Sequence, residues 1–181
     1  AYAEAGAGAD AASVATRARA DGDGWVLDGA KLYITNAPFA DFFVIVASTA
    51  PEQRLKGLSL FLAERGQAGL SVGPPMEKLG MGAAETAEIV LEDCRLARSA
   101  RLGPEGTGFL AALEVLTLGR IAAAAFAVGL GGAALAAALA HTRERVQFGQ
   151  PLAKQQFVRF TLADMATRLE AGWRLTLAAA R

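Results

Sequence analysis

The chain has 181 residues, 18 Lys+Arg against 18 Asp+Glu, 53% hydrophobic residues and a near-neutral pI. That is a globular composition rather than a disordered tail, and the length suits one large domain or two small ones with a real core. Zero net charge without a Lys/Arg block leaves no phosphate-neutralising surface, so nucleic acid is not an expected partner. A single cysteine, Cys94, and a single histidine, His141, exclude an internal disulfide and a Cys- or His-rich metal centre, so no metal is expected. The opening Ala1-Tyr2-Ala3-Glu4 has no basic flank before an apolar run; neither signal nor transit peptide is expected, and a cytoplasmic location is the default.

In chain order, Gly6-Ala7-Gly8-Ala9-Asp10-Ala11 superficially matches a dinucleotide fingerprint. It lacks the preceding strand and following helix that place a pyrophosphate on a helix end, so it reads as a glycine loop. Turn clusters then punctuate the chain: Asp21-Gly22-Asp23-Gly24, Asp28-Gly29, Lys56-Gly57, Gly73-Pro74-Pro75 and Gly80-Met81-Gly82. Between them lie short β-prone runs, at Trp25–Leu27, Leu32–Thr35, Phe42–Ala47, Leu58–Leu62 and Glu88–Leu91. Strands at intervals of about ten residues predict a sandwich or barrel. Asp28-Gly29, set between two such runs, predicts a hairpin turn. Cys94 reads as a small half-buried filler and Glu92-Asp93 as a solvated turn.

After Gly103-Pro104-Glu105-Gly106 the strand signals stop. Thr107 to Glu144 contains no proline and is dominated by Ala, Leu and Gly; as one helix it would span roughly 55 Å at 1.5 Å per residue. Its Gly119, Gly129, Gly131 and Gly132 either serve close packing or mark a break. Twenty uncharged residues, Ile121 to Ala140, are long enough to cross a membrane. Most are Ala and Gly, however, and charged residues follow at once, so a central bundle helix is expected and no membrane span. His141 at its end reads as structural or surface-exposed. Phe148-Gly149-Gln150-Pro151 is a stop, after which a second helix runs from about Ala153 to the end, with Phe157, Phe160, Leu162 and Met165 near one stripe. The expected fold class is therefore α+β in two domains: a sandwich- or barrel-like β domain at 1–103, then part of an α-helical bundle at 104–181. Two helices cannot close a core alone, so the chain reads as the middle of something longer or as a protomer that borrows partners.

Several motifs stand in a fixed order. Lys31-Leu32-Tyr33-Ile34-Thr35-Asn36 comes first, then Lys78-Leu79-Gly80-Met81-Gly82 and Val90-Leu91-Glu92-Asp93-Cys94-Arg95. Gly103 to Phe109, Leu118-Gly119-Arg120 and Glu144-Arg145-Val146-Gln147-Phe148-Gly149-Gln150-Pro151-Leu152 follow. Over nearly the whole chain this resembles the acyl-CoA dehydrogenase family of flavoproteins. The resemblance implies a middle β domain plus about half of a C-terminal four-helix bundle enclosing FAD, with acyl-CoA as substrate and an electron-transfer flavoprotein as partner. It also implies fatty acid metabolism and a homo-oligomer, a dimer of dimers, or a hetero-oligomer.

Residue roles follow from the same resemblance. Thr35 looks like the threonine whose hydroxyl faces flavin N5, where charge develops as hydride arrives. Tyr33 stands where an aromatic packs beside the isoalloxazine ring. Arg145 looks like the arginine that reaches a neighbouring subunit's FAD pyrophosphate. Gln147 and Phe148 would lie near the adenosine half, and Gln156 would contact FAD across the dimer. Thr117 and Arg120 align with positions lining the acyl-CoA site. The family's Thr-Glu-Pro-x-Ala-Gly-Ser-Asp segment is here Ala3-Glu4-Ala5-Gly6-Ala7-Gly8-Ala9-Asp10: two hydroxyls that contact cofactor or substrate become Ala3 and Ala9, leaving backbone N–H groups around Ala7, Gly8 and Ala9. Gly82 stands where relatives usually carry Arg, and Ala97-Arg98 where they carry Val-Pro. Relatives draw the catalytic base from a glutamate near their C-terminus or from the position before the Arg120 motif. The latter is Gly119 here, so no catalytic residue is assigned. The expectation is a fragment or truncated acyl-CoA dehydrogenase. The alternatives are an inactive partner subunit or structural remnant, and a flavin-dependent monooxygenase or oxidase of the same fold.

Overall fold

A computed structural model describes residues Ala1–Arg181, which form two compact units, Ala1–Leu113 and Glu114–Arg181. The first is built on strands β1 (Arg17–Asp21), β2 (Gly24–Thr35), β3 (Phe42–Ser48), β4 (Leu58–Glu64), β5 (Leu70–Val72), β6 (Thr86–Ala97) and β7 (Arg101–Leu102). They form one sheet in the order β5-β6-β2-β1-β3-β4-β7. Alternation along β3 and β4 explains how the sheet buries both faces. Phe43, Ile45, Ala47, Phe61 and Ala63 enter one core cluster, whereas Val46 and Leu58 enter another. Ile89, Leu91, Cys94 and Leu96 from β6, near the opposite end of the sheet, join the first cluster, so the sheet curls round it in the barrel-like manner expected. Trp25 meets Phe61 edge-on at 5.2 Å inside this core.

Three local expectations are corrected. Asp28-Gly29 is not a hairpin turn: it lies within β2, whose pairing with β6 shifts between Leu27 and Gly29. This is a β-bulge, with the Asp93 N–H donating to Asp28 Oδ1 at 2.7 Å. The hairpin turn is the upstream Asp21-Gly22-Asp23-Gly24, joining β1 to β2. Turn chemistry was present at both sites, and the longer run of cross-strand pairs decided between them. Glu92-Asp93 likewise lies within β6 rather than in a turn; both residues are exposed and face Asp28 alone, which makes them the bulge, and Asp93 takes a positive φ of 48° there. Cys94, beside them, is completely buried rather than half-buried, and burial pushes its thiol pKa up.

Helix α1 (Gly108–Glu144) starts in the first unit, where Phe109 and Ala112 pack on the Val46–Leu58 cluster, and runs on unbroken. It is long and apolar enough to cross a membrane by length and composition, and none of its most apolar stretch is buried. Short strands β8 (Val146–Gln147) and β9 (Gln150–Pro151) follow, then helix α2 (Gln156–Ala179). Of the four α1 glycines, Gly131 is the one that serves close packing: a Cβ there would lie 2.6 Å from Leu169 of α2. Gly172 of α2 returns the contact against Val128, while Gly119, Gly129 and Gly132 have open space around them.

Candidate functional site

A second irregularity in β2 shapes the first half of the site. The register with β6 shifts again between Lys31 and Ile34, and Tyr33 adopts φ 60° within the shifted segment. In a regular strand Tyr33 would point to the same face as buried Lys31. The extra residue turns it outward, and Tyr33 is 66% exposed. Ile34 returns to the core, and Thr35, exposed beyond it, has a hydroxyl with no protein partner. Asn36, at φ 65°, ends the strand and accepts the Ala40 N–H at 2.9 Å. An outward aromatic and a free hydroxyl two residues apart thus sit on a rigid strand end. A left-handed φ at a bulky residue is strained, and such strain clusters at functional sites.

The glycine loop is fastened beside this strand. The Leu32 N–H donates to the Ala3 carbonyl at 2.8 Å, and Glu4 and Ala7 exchange backbone hydrogen bonds that turn the chain. The anchor is an ion pair that sequence reading missed. Lys31 Nζ, completely buried, lies 2.6 Å from Glu4 Oε1 and 3.3 Å from the Tyr2 carbonyl. Glu4 also accepts from the Thr16 hydroxyl at 2.6 Å, the Thr16 N–H at 3.1 Å and the Ala15 N–H at 2.6 Å. The signal was in the sequence: a lysine at an inward position of a strand, and a glutamate in a run of small residues. The Ala7 N–H is not available as expected, because Ala7 is buried and donates to the Glu4 carbonyl at 3.2 Å; Gly8 and Ala9, beyond the anchor, are exposed, and a Cβ on Gly8 would meet nothing, so their backbone is open to a ligand.

Electrostatics make the anchor acid-sensitive. Burial by itself raises the Glu4 pKa, but its bonds from Lys31, Thr16 and Ala15 outweigh that and hold it below the usual carboxylate value. Burial pulls Lys31 below its ordinary value, and Glu4 opposes this only in part. Because the folded Glu4 pKa lies below the unfolded one, its stabilisation is complete above the unfolded carboxylate value, about 4.3. It is lost as pH falls from there through the folded value. Thermal unfolding followed from pH 7 to 3 is expected to show a falling Tm on this acid limb, and a shallower fall in Glu4→Gln.

The second unit holds the remaining expected residues. Arg145 directly follows α1, its carbonyl accepting the Leu152 N–H at 2.9 Å, which closes the β8–β9 hairpin. Phe148 and Gly149 form the two-residue turn, with φ of 53° and 76°, a pairing that matches the twist of the strands. Phe148 is thereby 93% exposed, and the Arg145 guanidinium has no carboxylate partner. The Gln147 amide donates to the Val146 carbonyl at 2.7 Å, and Gln156 opens α2 with its side chain exposed. Thr117 and Arg120 are exposed on α1 three residues apart, and Arg120 borders a shallow apolar groove with Ile121, Val128 and Leu175. The structure therefore groups Tyr33 and Thr35 with the anchored loop carrying Gly8 and Ala9 in the first unit. Arg145, Gln147 and Phe148 share one hairpin in the second. In the first unit the exposed Tyr33 ring and free Thr35 hydroxyl fit the planar head of FAD, and in the second the Arg145 guanidinium, separately, fits a phosphate-bearing group.

Comparison with known proteins gives the lineage. Residues 1–94 match the acyl-CoA dehydrogenase middle domain, and residues 106–181 match the acyl-CoA dehydrogenase C-terminal domain. The mitochondrial short-chain specific acyl-CoA dehydrogenase of Homo sapiens is 43% identical over 180 residues, covering 99% of this chain and 44% of that protein. Butyryl-CoA dehydrogenase from Megasphaera elsdenii superposes with a TM-score of 0.94 at 38% identity, over 98% of this chain and 46% of that one. A chain in a structure of the electron transferring flavoprotein of Acidaminococcus fermentans also gives 0.94, at 42% identity, over 99% of this chain and 47% of that one. The chain spans about half the length of the relatives it matches. With both of its units matched in order, the chain belongs to the acyl-CoA dehydrogenase family.

Proposed function

We propose that the chain supplies the flavin-facing middle and C-terminal parts of an FAD-dependent acyl-CoA dehydrogenase that introduces a Cα–Cβ double bond into an acyl-CoA thioester. The observation that carries this reading is the bulged end of β2, where Tyr33 and Thr35 face outward beside the loop anchored by Glu4 and Lys31. FAD, when bound, accepts the substrate's β-hydride. Thr35 holds flavin N5 through its hydroxyl, Tyr33 lies beside the ring, and the backbone of Gly8 and Ala9 meets cofactor or substrate where relatives use side-chain hydroxyls. Arg145 pairs with the pyrophosphate, Gln147, Phe148 and Gln156 lie along the adenosine half from a partner subunit, and Thr117 and Arg120 line the acyl-CoA side. No carboxylate here stands where the family draws its base, so the group that takes the α-proton lies outside residues 1–181.

A family assembly of this kind, a dimer of dimers or a hetero-oligomer, would bury the apolar surfaces of α1 and α2 among further helices. That makes α1 a bundle member rather than a membrane span; the match of residues 106–181 to the C-terminal domain supports this. An electron-transfer flavoprotein as oxidant of the reduced cofactor is supported by the Acidaminococcus fermentans neighbour. Titration of the chain with FAD, followed by flavin fluorescence, tests the cofactor assignment. Arg145→Ala is expected to weaken binding roughly 10- to 100-fold, since a hydrogen-bonded charge pair contributes about 1.5–3 kcal/mol. Equal affinities would remove Arg145 from the cofactor site.

A further inference from the structure

Two loops flank the end of β2 that carries Tyr33 and Thr35, and a cation outside the flavin-facing set holds each of them. On one side the turn from Asn36 to Ala40 leads towards β3. Arg65, the residue after β4, donates its Nε–H to the Ala40 carbonyl at 2.7 Å and an Nη2–H to the Ala37 carbonyl at 2.5 Å. The same guanidinium stands 5.8 Å over the ring of buried Phe43, and the Arg65 N–H donates to the Asp41 carbonyl at 2.7 Å. Ala37 is completely buried in the core cluster, so packing pins the inner side of the turn and Arg65 pins its carbonyls. On the other side lies the loop from Met76 to Thr86, whose ends meet where the Met76 N–H donates to the Thr86 carbonyl at 2.8 Å. Lys78 Nζ reaches across this loop to the Ala84 carbonyl, to the Met81 carbonyl at 3.0 Å and to Thr86 Oγ1 at 3.5 Å. Three donors thus meet three neutral oxygens. Neither Arg65 nor Lys78 forms a salt bridge; both direct their charge to loop carbonyls.

Both loops adjoin the site directly. Thr35 pairs with Thr86 in the last rung of the β2–β6 ladder, and just beyond it the Asn36 N–H donates to the Glu85 carbonyl at 2.8 Å. Between them, Tyr33 and Asn36 hold φ of 60° and 65°. Strained backbone of this kind persists only where its surroundings over-determine it. Hydrogen bonds from charged donors are the strong ones, so the two cations supply that constraint from either side. We infer that Arg65 and Lys78 are positioning residues for the flavin: they hold the strained end of β2 in the conformation that presents the Tyr33 ring and the Thr35 hydroxyl. Both act through the backbone rather than on the cofactor. The inference rests on the reading of Tyr33 and Thr35 as flavin-facing.

Arg65→Met and Lys78→Met keep an apolar stem at each position and remove the donors. Amide hydrogen exchange is read first, on the full chain without FAD. The Phe39 and Ala40 amides, both bonded to the Asn36 carbonyl, are expected to exchange about tenfold faster in Arg65→Met. In Lys78→Met the same change, about tenfold, is expected at the Asn36 and Met76 amides. FAD is then titrated, and the absorbance of the bound flavin is recorded at saturation. Each variant is expected to bind at least about fivefold more weakly, with a bound-flavin band displaced from that of the wild type. A loss of stability alone would not displace that band. Unchanged exchange in both variants overturns the inference. So does faster exchange with wild-type affinity and an unmoved band, which would leave both residues holding loops for the fold alone. A change confined to one variant removes the other residue from the role. A wild-type chain that binds no FAD overturns the inference together with the reading of Tyr33 and Thr35, and the exchange data, taken without cofactor, tell the two failures apart.

Discussion

Lys31→Met is expected to lower the unfolding free energy by about 3–5 kcal/mol, the usual cost of stranding one partner of a buried ion pair. The size follows from the surroundings. Lys31 is completely buried and Glu4 nearly so, and removing the ammonium leaves a carboxylate facing the protein interior at the point where Tyr2, Thr16 and Ala15 converge. Glu4→Gln strands the ammonium instead and falls in the same range, though the amide oxygen still serves Thr16. The double variant should lose clearly less than the sum of the two, because each single change creates an unpaired charge that the second removes. Urea unfolding of the four proteins measures the coupling; strict additivity would mean that the pair contributes nothing as a pair. The loss has a functional counterpart, since the same bonds fasten the loop carrying Gly8 and Ala9 beside Tyr33.

Gly29→Ala is expected to be the next most damaging single change. Gly29 faces the bulge of β6 at φ 148°, in a region that only glycine enters freely. A Cβ there would lie 2.6 Å from Thr16 Oγ1 and 2.7 Å from Thr16 Cα. Backbone strain and overpacking contribute about 1–3 kcal/mol each. The displaced atom is also the hydroxyl that donates to Glu4, so part of the cost is transmitted to the ion pair. Thermal unfolding of Gly29→Ala in the wild-type and Lys31→Met backgrounds tests this. A smaller effect in the second background is expected, and an unchanged effect would confine the damage to the bulge.

Much of the architecture was written in local pattern. Turn clusters and β-branched runs marked the strands of the first unit, and the loss of both after Gly106 marked the helices. What pattern could not supply was register. Asp28-Gly29 carries hairpin chemistry, yet nine cross-strand partners along β2 and β6 hold it in mid-strand opposite a β6 bulge, because long-range pairing outweighs a dipeptide preference. The same holds for the site. The motif around Tyr33 and Thr35 was legible, whereas the outward turn of Tyr33 depends on a register shift against β6. Glu4 and Lys31 lie 27 positions apart, and each taken singly reads as a surface charge. Only the folded sheet brings them together.

The most direct measurement is an absorbance spectrum of the purified chain with FAD, followed by anaerobic addition of short- and medium-chain acyl-CoAs. The expected result is a flavin band shifted and sharpened by binding that persists after the thioester is added, because the proposed function gives the chain the flavin-facing groups and places the proton acceptor elsewhere. A flavin spectrum unchanged from that of free FAD would contradict the cofactor site built on Tyr33, Thr35 and Arg145. Bleaching of the band would contradict the assignment of the base to residues outside this chain.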